Sequence, residues 1–233
     1  DVLDEAGAAT ADVLIICYPN NPTGAVMGRD ALMPIAEYAV AHDITVIADE
    51  IYAELRYDGR HTSIAAFPGM RDRTVVINGF SKAYAMTGLR LGYAAGPEPL
   101  IGAMNRIHQY TMLSAPTTAQ HAALGALRAT GDIVSDMRSA FDKRRRYVVE
   151  RFTELGMQTA APRGAFYVFP RCPPQLPDDA QFAEELLTDQ QVAVVPGRVF
   201  GAGGEGHCRV SYASSIRELR EALDRIERFL EDY

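Results

Sequence analysis

Asn78-Gly-Phe-Ser-Lys-Ala-Tyr-Ala-Met-Thr-Gly-Leu-Arg-Leu-Gly-Tyr93 is the stretch on which the reading of the chain turns. Its lysine, Lys82, comes just past an apolar run, Thr74-Val-Val-Ile77, and is flanked by Gly79 and Gly88. Arg90 follows in the same stretch. Glycine lets the backbone turn sharply where a strand ends. A lysine buried at such a turn has a lowered pKa, and its amine can form a Schiff base with a carbonyl. A surface lysine in a polar loop is the plain alternative, and the rest of the chain decides between them.

Working outward, Asp12-Val-Leu-Ile-Ile-Cys-Tyr18 is a continuous apolar run that ends in Pro19-Asn-Asn-Pro-Thr-Gly24, a dense turn signal. It reads as a buried strand entering a structured loop. Leu32, Ile35, Ala36, Ala39 and Val40 then recur at the spacing of an amphipathic helix between Arg29 and His42. Ile44-Thr-Val-Ile-Ala48 is a second strand, ending in Asp49-Glu50. Thr74–Ile77 is the third strand, and Leu91-Gly-Tyr-Ala-Ala95 a fourth. Strands apolar on both faces, alternating with helices, predict an α/β fold with a mainly parallel sheet. In such sheets ligands bind beyond the carboxyl ends of the strands. Asn21, Asp49 and Lys82 each follow a strand end and are expected in one crevice.

Beyond that point the pattern changes. Residues 97–129 read as a helix, a break near Pro116 and a second helix. Asp132–Leu155 reads as a longer helix with Gly156 at its C-terminal cap. Gly164–Pro170, Val192–Val195 and His207–Tyr212 read as shorter strands, with a proline-rich loop between the first two. Ser215 and Glu218 form a capping box for the last helix. The expected division is 1–103 for part of a large domain and 104–233 for interdomain helices with a smaller α+β domain. Gly201-Ala-Gly-Gly-Glu-Gly206 has the count of a dinucleotide loop. A strand-like run follows it instead of a helix, so it is read as a plain loop.

Composition narrows the classes. The chain has 233 residues, 48% of them hydrophobic, and a net charge of −7. The size permits a sizeable core, and the acidity argues against non-specific nucleic-acid binding. No run approaches the ~18 apolar residues of a membrane span. Cys17, Cys172 and Cys208 are too few and too scattered for a disulfide framework or a zinc site, which suggests a reducing, cytoplasmic setting. No metal is expected: the Asp49-Glu50 carboxylates point opposite ways on an extended segment. Asp49 is better read as the partner of an organic cation such as a protonated pyridine. Tyr52 lies one turn further on. Arg209 sits on a strand of the smaller domain, where its fork suits a carboxylate. A turn residue, a packing tyrosine and an internal salt bridge are the plain readings of Asn21, Tyr52 and Arg209.

Taken together, Pro19–Gly24, Ala48-Asp-Glu-Ile-Tyr52, Ser81-Lys82 with Thr87-Gly88 and Arg90, Gly164-Ala-Phe-Tyr167 and Arg209-Val-Ser-Tyr-Ala213 resemble the class I/II aminotransferases, pyridoxal-phosphate enzymes of fold type I. The resemblance covers essentially the whole chain. It implies that Lys82 carries pyridoxal phosphate as a Schiff base and shuttles a proton, and that Asp49 pairs with the pyridine nitrogen. It also implies that Tyr52 and Asn21 bind the ring oxygen and that Arg90 and Ser81 bind the phosphate. Arg209, with Asn21, would hold the substrate α-carboxylate. The implied substrates are an L-amino acid and a 2-oxo acid; His108-Gln-Tyr-Thr-Met-Leu113 resembles the branch handling aspartate, aromatic or diaminopimelate-type substrates, the aspartate or aromatic type being expected. The implied full-length assembly is a homodimer, with no nucleic-acid or membrane partner.

One departure stands out. Family members carry a domain's worth of chain before this point, including a phosphate-binding helix end and the aromatic that stacks on the cofactor. The sequence begins at Asp1 without Met, and Asp1–Ala6 reads as the inside of a domain. The expectation is a C-terminal portion with an incomplete pyridoxal-phosphate domain, inactive by itself. A C–S lyase or decarboxylase on the same scaffold, and the effector half of a pyridoxal-phosphate-binding transcription regulator, remain as alternatives.

Overall fold

The computed structural model describes residues 2–232; Asp1 and Tyr233, with the readings that touch them, lie outside the described residues. The chain divides into two compact units. The first holds the residues up to Pro19 together with Val26–Val134, and the second holds Asn20–Ala25 together with Ser135 onward. The division expected near Met104 falls inside a helix of the first unit.

The first unit opens with one helical turn, α1 (Val2–Glu5), and is built on a four-stranded sheet. Its strands are β1 (Val13–Cys17), β2 (Thr45–Asp49), β3 (Thr74–Gly79) and β4 (Gly92–Ala95), in that spatial order. β1, β2 and β3 run parallel, with Cys17 opposite Asp49 and Asp49 opposite Ile77. A parallel pair needs a crossover, and α2 (Arg29–Ala41) supplies it between β1 and β2. Leu32, Ala36 and Ala39 put their side chains against Ile44, Val46 and Ala48, with Ile64, Phe67 and Met70 completing the core. Burying a side chain of this size stabilises by roughly 1.5–3 kcal/mol. Alternation along β2 buries Val46 and Ala48 beneath α2 and turns Thr45, Ile47 and Asp49 to the other face. The strand pairing therefore fixes the side on which Asp49 emerges.

β4 runs antiparallel to β3, pairing Ile77 with Ala94 and Gly79 with Gly92. A side chain at Gly79 would place its Cβ 2.8 Å from the Leu91 carbonyl and 2.9 Å from the Gly92 Cα, so only glycine fits. The unit is completed by α3 (Glu98–Thr111) and α4 (Thr117–Arg128), separated at Pro116, which cannot continue a helix.

The second unit has a three-stranded antiparallel sheet of order β5 (Tyr167–Val168), β7 (Cys208–Ser211), β6 (Val195–Pro196). Helices α5 (Ile133–Glu154), α6 (Asp179–Gln190) and α7 (Ile216–Glu231) supply its core residues Val148, Phe152, Phe182, Leu186, Leu223, Ile226 and Phe229. All three expected strands are shorter than the sequence suggests, β5 most of all. Ala165 turns at φ 55 before β5, and Pro170 has no N–H to continue the ladder after it. The capping box of α7 is present: Glu218 N–H donates to Ser215 Oγ and Ser215 N–H donates to Glu218 Oε2. The helix α6 has no counterpart in the sequence reading.

Candidate active site

In the first unit the candidate residues sit at the carboxyl ends of neighbouring strands, β2 and β3. Asp49 ends β2, and its carboxylate accepts the Ile51 N–H at 3.1 Å. No cation pairs with it among the described residues. Tyr52 follows in the turn and is buried, with 4% of its surface exposed. The Lys82 ammonium lies over the Tyr52 ring, 5.9 Å from its centroid. The loop carrying Lys82 closes on itself: the Phe80 carbonyl accepts from both Tyr84 and Met86, while Phe80 N–H donates to the Leu91 carbonyl at 3.2 Å. That return places Arg90 beside the Phe80–Ser81 segment, at the same end of the sheet. Arg90 has a left-handed backbone, φ 56, an uncommon conformation for a residue with a Cβ. Its guanidinium donates to the Thr87 carbonyl at 2.9 Å. No carboxylate pairs with it among the described residues.

Glu50, next to Asp49, points the other way and is buried. His61 Nε2 lies 3.0 Å from Glu50 Oε2, an ion-pair distance whose angle does not make a hydrogen bond. Glu50 is thereby tied to the covered side of the sheet, whereas Asp49 faces out. Among the described residues no three His, Cys, Asp or Glu side chains are grouped to hold a metal.

The second unit carries Arg209 and Asn21. Arg209 lies on β7, and its Nη1 donates to Asn21 Oδ1 at 2.8 Å across 188 residues of sequence. Its guanidinium lies over two rings, 4.6 Å from the centroid of Tyr167 and 5.1 Å from that of Phe200. No carboxylate pairs with Arg209 among the described residues. Asn21 is held because its loop is. Asn20 N–H donates to the Ala25 carbonyl, and the Gly24 carbonyl accepts from Arg163 and Gly164. A Cβ at Gly24 would lie 2.3 Å from the Pro162 Cβ, so this loop packs too tightly for any other residue.

The structure thus groups Asp49, Tyr52, Ser81, Lys82 and Arg90 in one unit, and Asn21 with Arg209 in the other. Tyr167 was visible only as part of a motif, and Phe200 was not singled out. The only hint of Phe200 was an aromatic just before a glycine-rich loop.

The second unit also holds an ion pair. Asp179, fully buried at the start of α6, accepts from Arg198 Nε at 2.9 Å, Arg198 Nη2 at 2.8 Å and the Arg198 N–H at 2.8 Å. Gly206 N–H adds a longer bond at 3.4 Å. Burial pushes the Asp179 carboxyl up, but these donors outweigh it and bring it down to about 2.

Known proteins place the chain. The sequence profile described as "Aminotransferase class I and II" matches residues 1–226. YugH of Bacillus subtilis is 55% identical over 217 residues, covering 93% of this chain and 56% of that protein. An aspartate aminotransferase of Pyrococcus abyssi is 45% identical over 222 residues, covering 94% of this chain and 57% of its own. The crystal structure of an aromatic aminotransferase from Pyrococcus horikoshii superposes with a TM-score of 0.93 at 43% identity, over 99% of this chain and 63% of that one. The chain therefore spans a little over half the length of these relatives, matching their C-terminal portion. With this coverage and with the motifs of both units in order, the chain belongs to the class I and II aminotransferase family.

Proposed function

We propose that this chain is the C-terminal part of a pyridoxal-phosphate-dependent aminotransferase, exchanging the amino group of an L-amino acid with a 2-oxo acid. One observation carries the reading: Asp49, Arg90 and Arg209 each lack an ion-pair partner among the described residues, while Asp179 and Arg198 are fully paired. Charges kept without a counter-charge suit a ligand that brings the opposite ones. The donor set fits pyridoxal phosphate in kind. Asp49 suits the ring N–H, Lys82 the aldehyde, Tyr52 and Asn21 the ring oxygen, and Arg90 with Ser81 the phosphate. When bound, pyridoxal phosphate supplies an electron-accepting ring and an aldehyde that carries the amino group.

The chain's own residues do the rest. Asp49 would hold the proton on the ring nitrogen of the bound cofactor. Lys82 Nζ would hold the cofactor's aldehyde carbon and would carry a proton to and from the substrate Cα. Arg209 would take the α-carboxylate bidentately and so orient the substrate Cα. The aspartate and aromatic enzymes among the relatives favour a substrate of one of those types. The reading includes a cytoplasmic homodimer for the full-length protein. No helix among the described residues is long and apolar enough to cross a membrane.

The test is product analysis with the full-length polypeptide, L-aspartate or L-phenylalanine and 2-oxoglutarate. The expected products are glutamate and the matching 2-oxo acid. Release of ammonia and pyruvate from a sulfur amino acid, with no amino transfer, would replace this reading with a C–S lyase. The isolated 233-residue chain is expected not to turn over; measurable transamination by it would contradict that.

A further inference from the structure

The glycine-rich segment Gly201–Gly206 and the buried Asp179–Arg198 pair have no part in the roles above. Both act on the same short piece of chain, the 3-10 turn Gly197–Phe200. Gly197 and Gly204 approach so closely that a Cβ on Gly197 would sit 2.0 Å from the Gly204 carbonyl oxygen, and one on Gly204 2.1 Å from that of Gly197. Gly197 N–H donates to the His207 carbonyl at 2.8 Å, and Gly204 N–H to the Gly201 carbonyl at 2.9 Å. Gly201 takes φ 112, a backbone open to glycine alone. Between these contacts, Arg198 is pinned through its backbone and its side chain to Asp179. The turn is therefore fixed at both ends and in its middle. What it presents is Phe200, which remains 37% exposed and lies over Arg209. Phe169 meets Phe200 edge-on at 6.2 Å and is itself stacked on His207 at 5.3 Å.

We propose that Phe200 is a positioning residue for Arg209, and that the glycine-rich segment with the Asp179–Arg198 pair is the platform that holds it there. A guanidinium against two aromatic rings keeps its N–H edge for in-plane hydrogen bonds while its faces are covered. Asn21 takes one of those donors. The remaining edge is pre-set for a planar carboxylate, so less rotational freedom is lost when one binds. The rings also shield the pair from water, which strengthens it. The inference rests on the reading of Arg209 as the carboxylate clamp.

The experiment uses the full-length holoenzyme with the variants Phe200→Leu, Phe200→Trp and Arg209→Ala. Steady-state kinetics are run with L-aspartate and L-phenylalanine as donors and 2-oxoglutarate as acceptor. Losing one cation–π contact on a partly exposed ring predicts that Phe200→Leu raises donor KM about fivefold, with kcat changed less than about twofold. Cofactor affinity and melting temperature should stay at the wild-type level. Phe200→Trp, which keeps a ring over the guanidinium, should bring KM back to within about twofold of wild type. If Arg209→Ala raises KM strongly while Phe200→Leu leaves it unchanged, the positioning role is wrong and the clamp stands. A Phe200→Leu enzyme that loses cofactor or melts early shows a merely structural residue and also overturns the role. If Arg209→Ala leaves KM unchanged, the clamp itself fails and this inference falls with it.

Discussion

Arg198 and Arg209 sit close together on the second unit and are used in opposite ways. Arg198 is saturated: Asp179 takes its Nε and Nη2, and Asp178 accepts from Nη2 at 2.8 Å. Arg209 meets two rings and one amide oxygen, with no carboxylate among the described residues. The same contrast separates two aspartates. Asp179 is surrounded by donors, whereas Asp49 receives one backbone N–H from Ile51. Covering a charge without pairing it costs stability, which is the ground for proposing that Asp49 and Arg209 are kept for a ligand. On the proposed function, the paired set holds the fold and the unpaired set serves the chemistry.

That contrast can be broken by substitution, and the expected effects fall in a clear order. Lys82→Ala in the full-length enzyme should cost at least ~10⁴-fold in kcat, since it removes the covalent anchor and the proton carrier together. A residual rate within tenfold of wild type would move the chemistry off Lys82. Asp49→Ala should lower kcat by ~10³-fold, the scale of losing one preorganised charge at a reacting centre. It should also weaken cofactor retention, read by equilibrium dialysis; unchanged retention and rate would make Asp49 an ordinary strand-end residue. Arg209→Ala should raise donor KM ~100-fold while leaving cofactor binding intact, as expected for a lost charge pair in a dry site. Titration calorimetry of both ligands separates the two effects.

The smallest effect on activity, and the largest on the fold, is expected on the paired side. Asp179→Ala should destabilise the protein by about 3 kcal/mol, because it strands the Arg198 and Gly206 donors. Its pH signature is specific. The Asp179 carboxyl is depressed from 3.8 in the unfolded chain to about 2 in the fold. The stability it contributes is therefore complete above roughly pH 4 and is lost as pH falls through about 2. Thermal melts at pH 4 and pH 2 should show a drop in wild type that Asp179→Asn lacks. Parallel slopes for the two proteins would remove the role.

Local signals were legible in the sequence and distant ones were not. The apolar runs of β1, β2 and β3, the stripe of α2 and the capping box of α7 are each written within a few adjacent residues, and each appears where expected. The helix α6 was hidden by a proline-rich approach and a short stripe of Phe182, Ala183 and Leu186. The Asn21–Arg209 bond joins positions 188 residues apart, and no local pattern can reveal it. The same holds for the Phe200–Arg209 and Tyr167–Arg209 contacts, for the Glu50–His61 contact and for the Asp179–Arg198 pair. The motif likeness supplied the residue identities; the fold supplied which of them stand together and which are left without a counter-charge.

The central claim is that Lys82 holds the cofactor, and the chain offers an internal control, because its only lysines are Lys82 and Lys143. Lys143 lies exposed on α5, far along the chain from the strand ends of the first unit. The full-length protein would be incubated with pyridoxal phosphate, reduced with sodium borohydride, digested and sequenced by mass spectrometry. The account predicts a stable pyridoxyl group on the peptide bearing Lys82, no comparable labelling at Lys143, and loss of the label in Lys82→Ala. Equal labelling of the two lysines, or a label that survives Lys82→Ala, would contradict it.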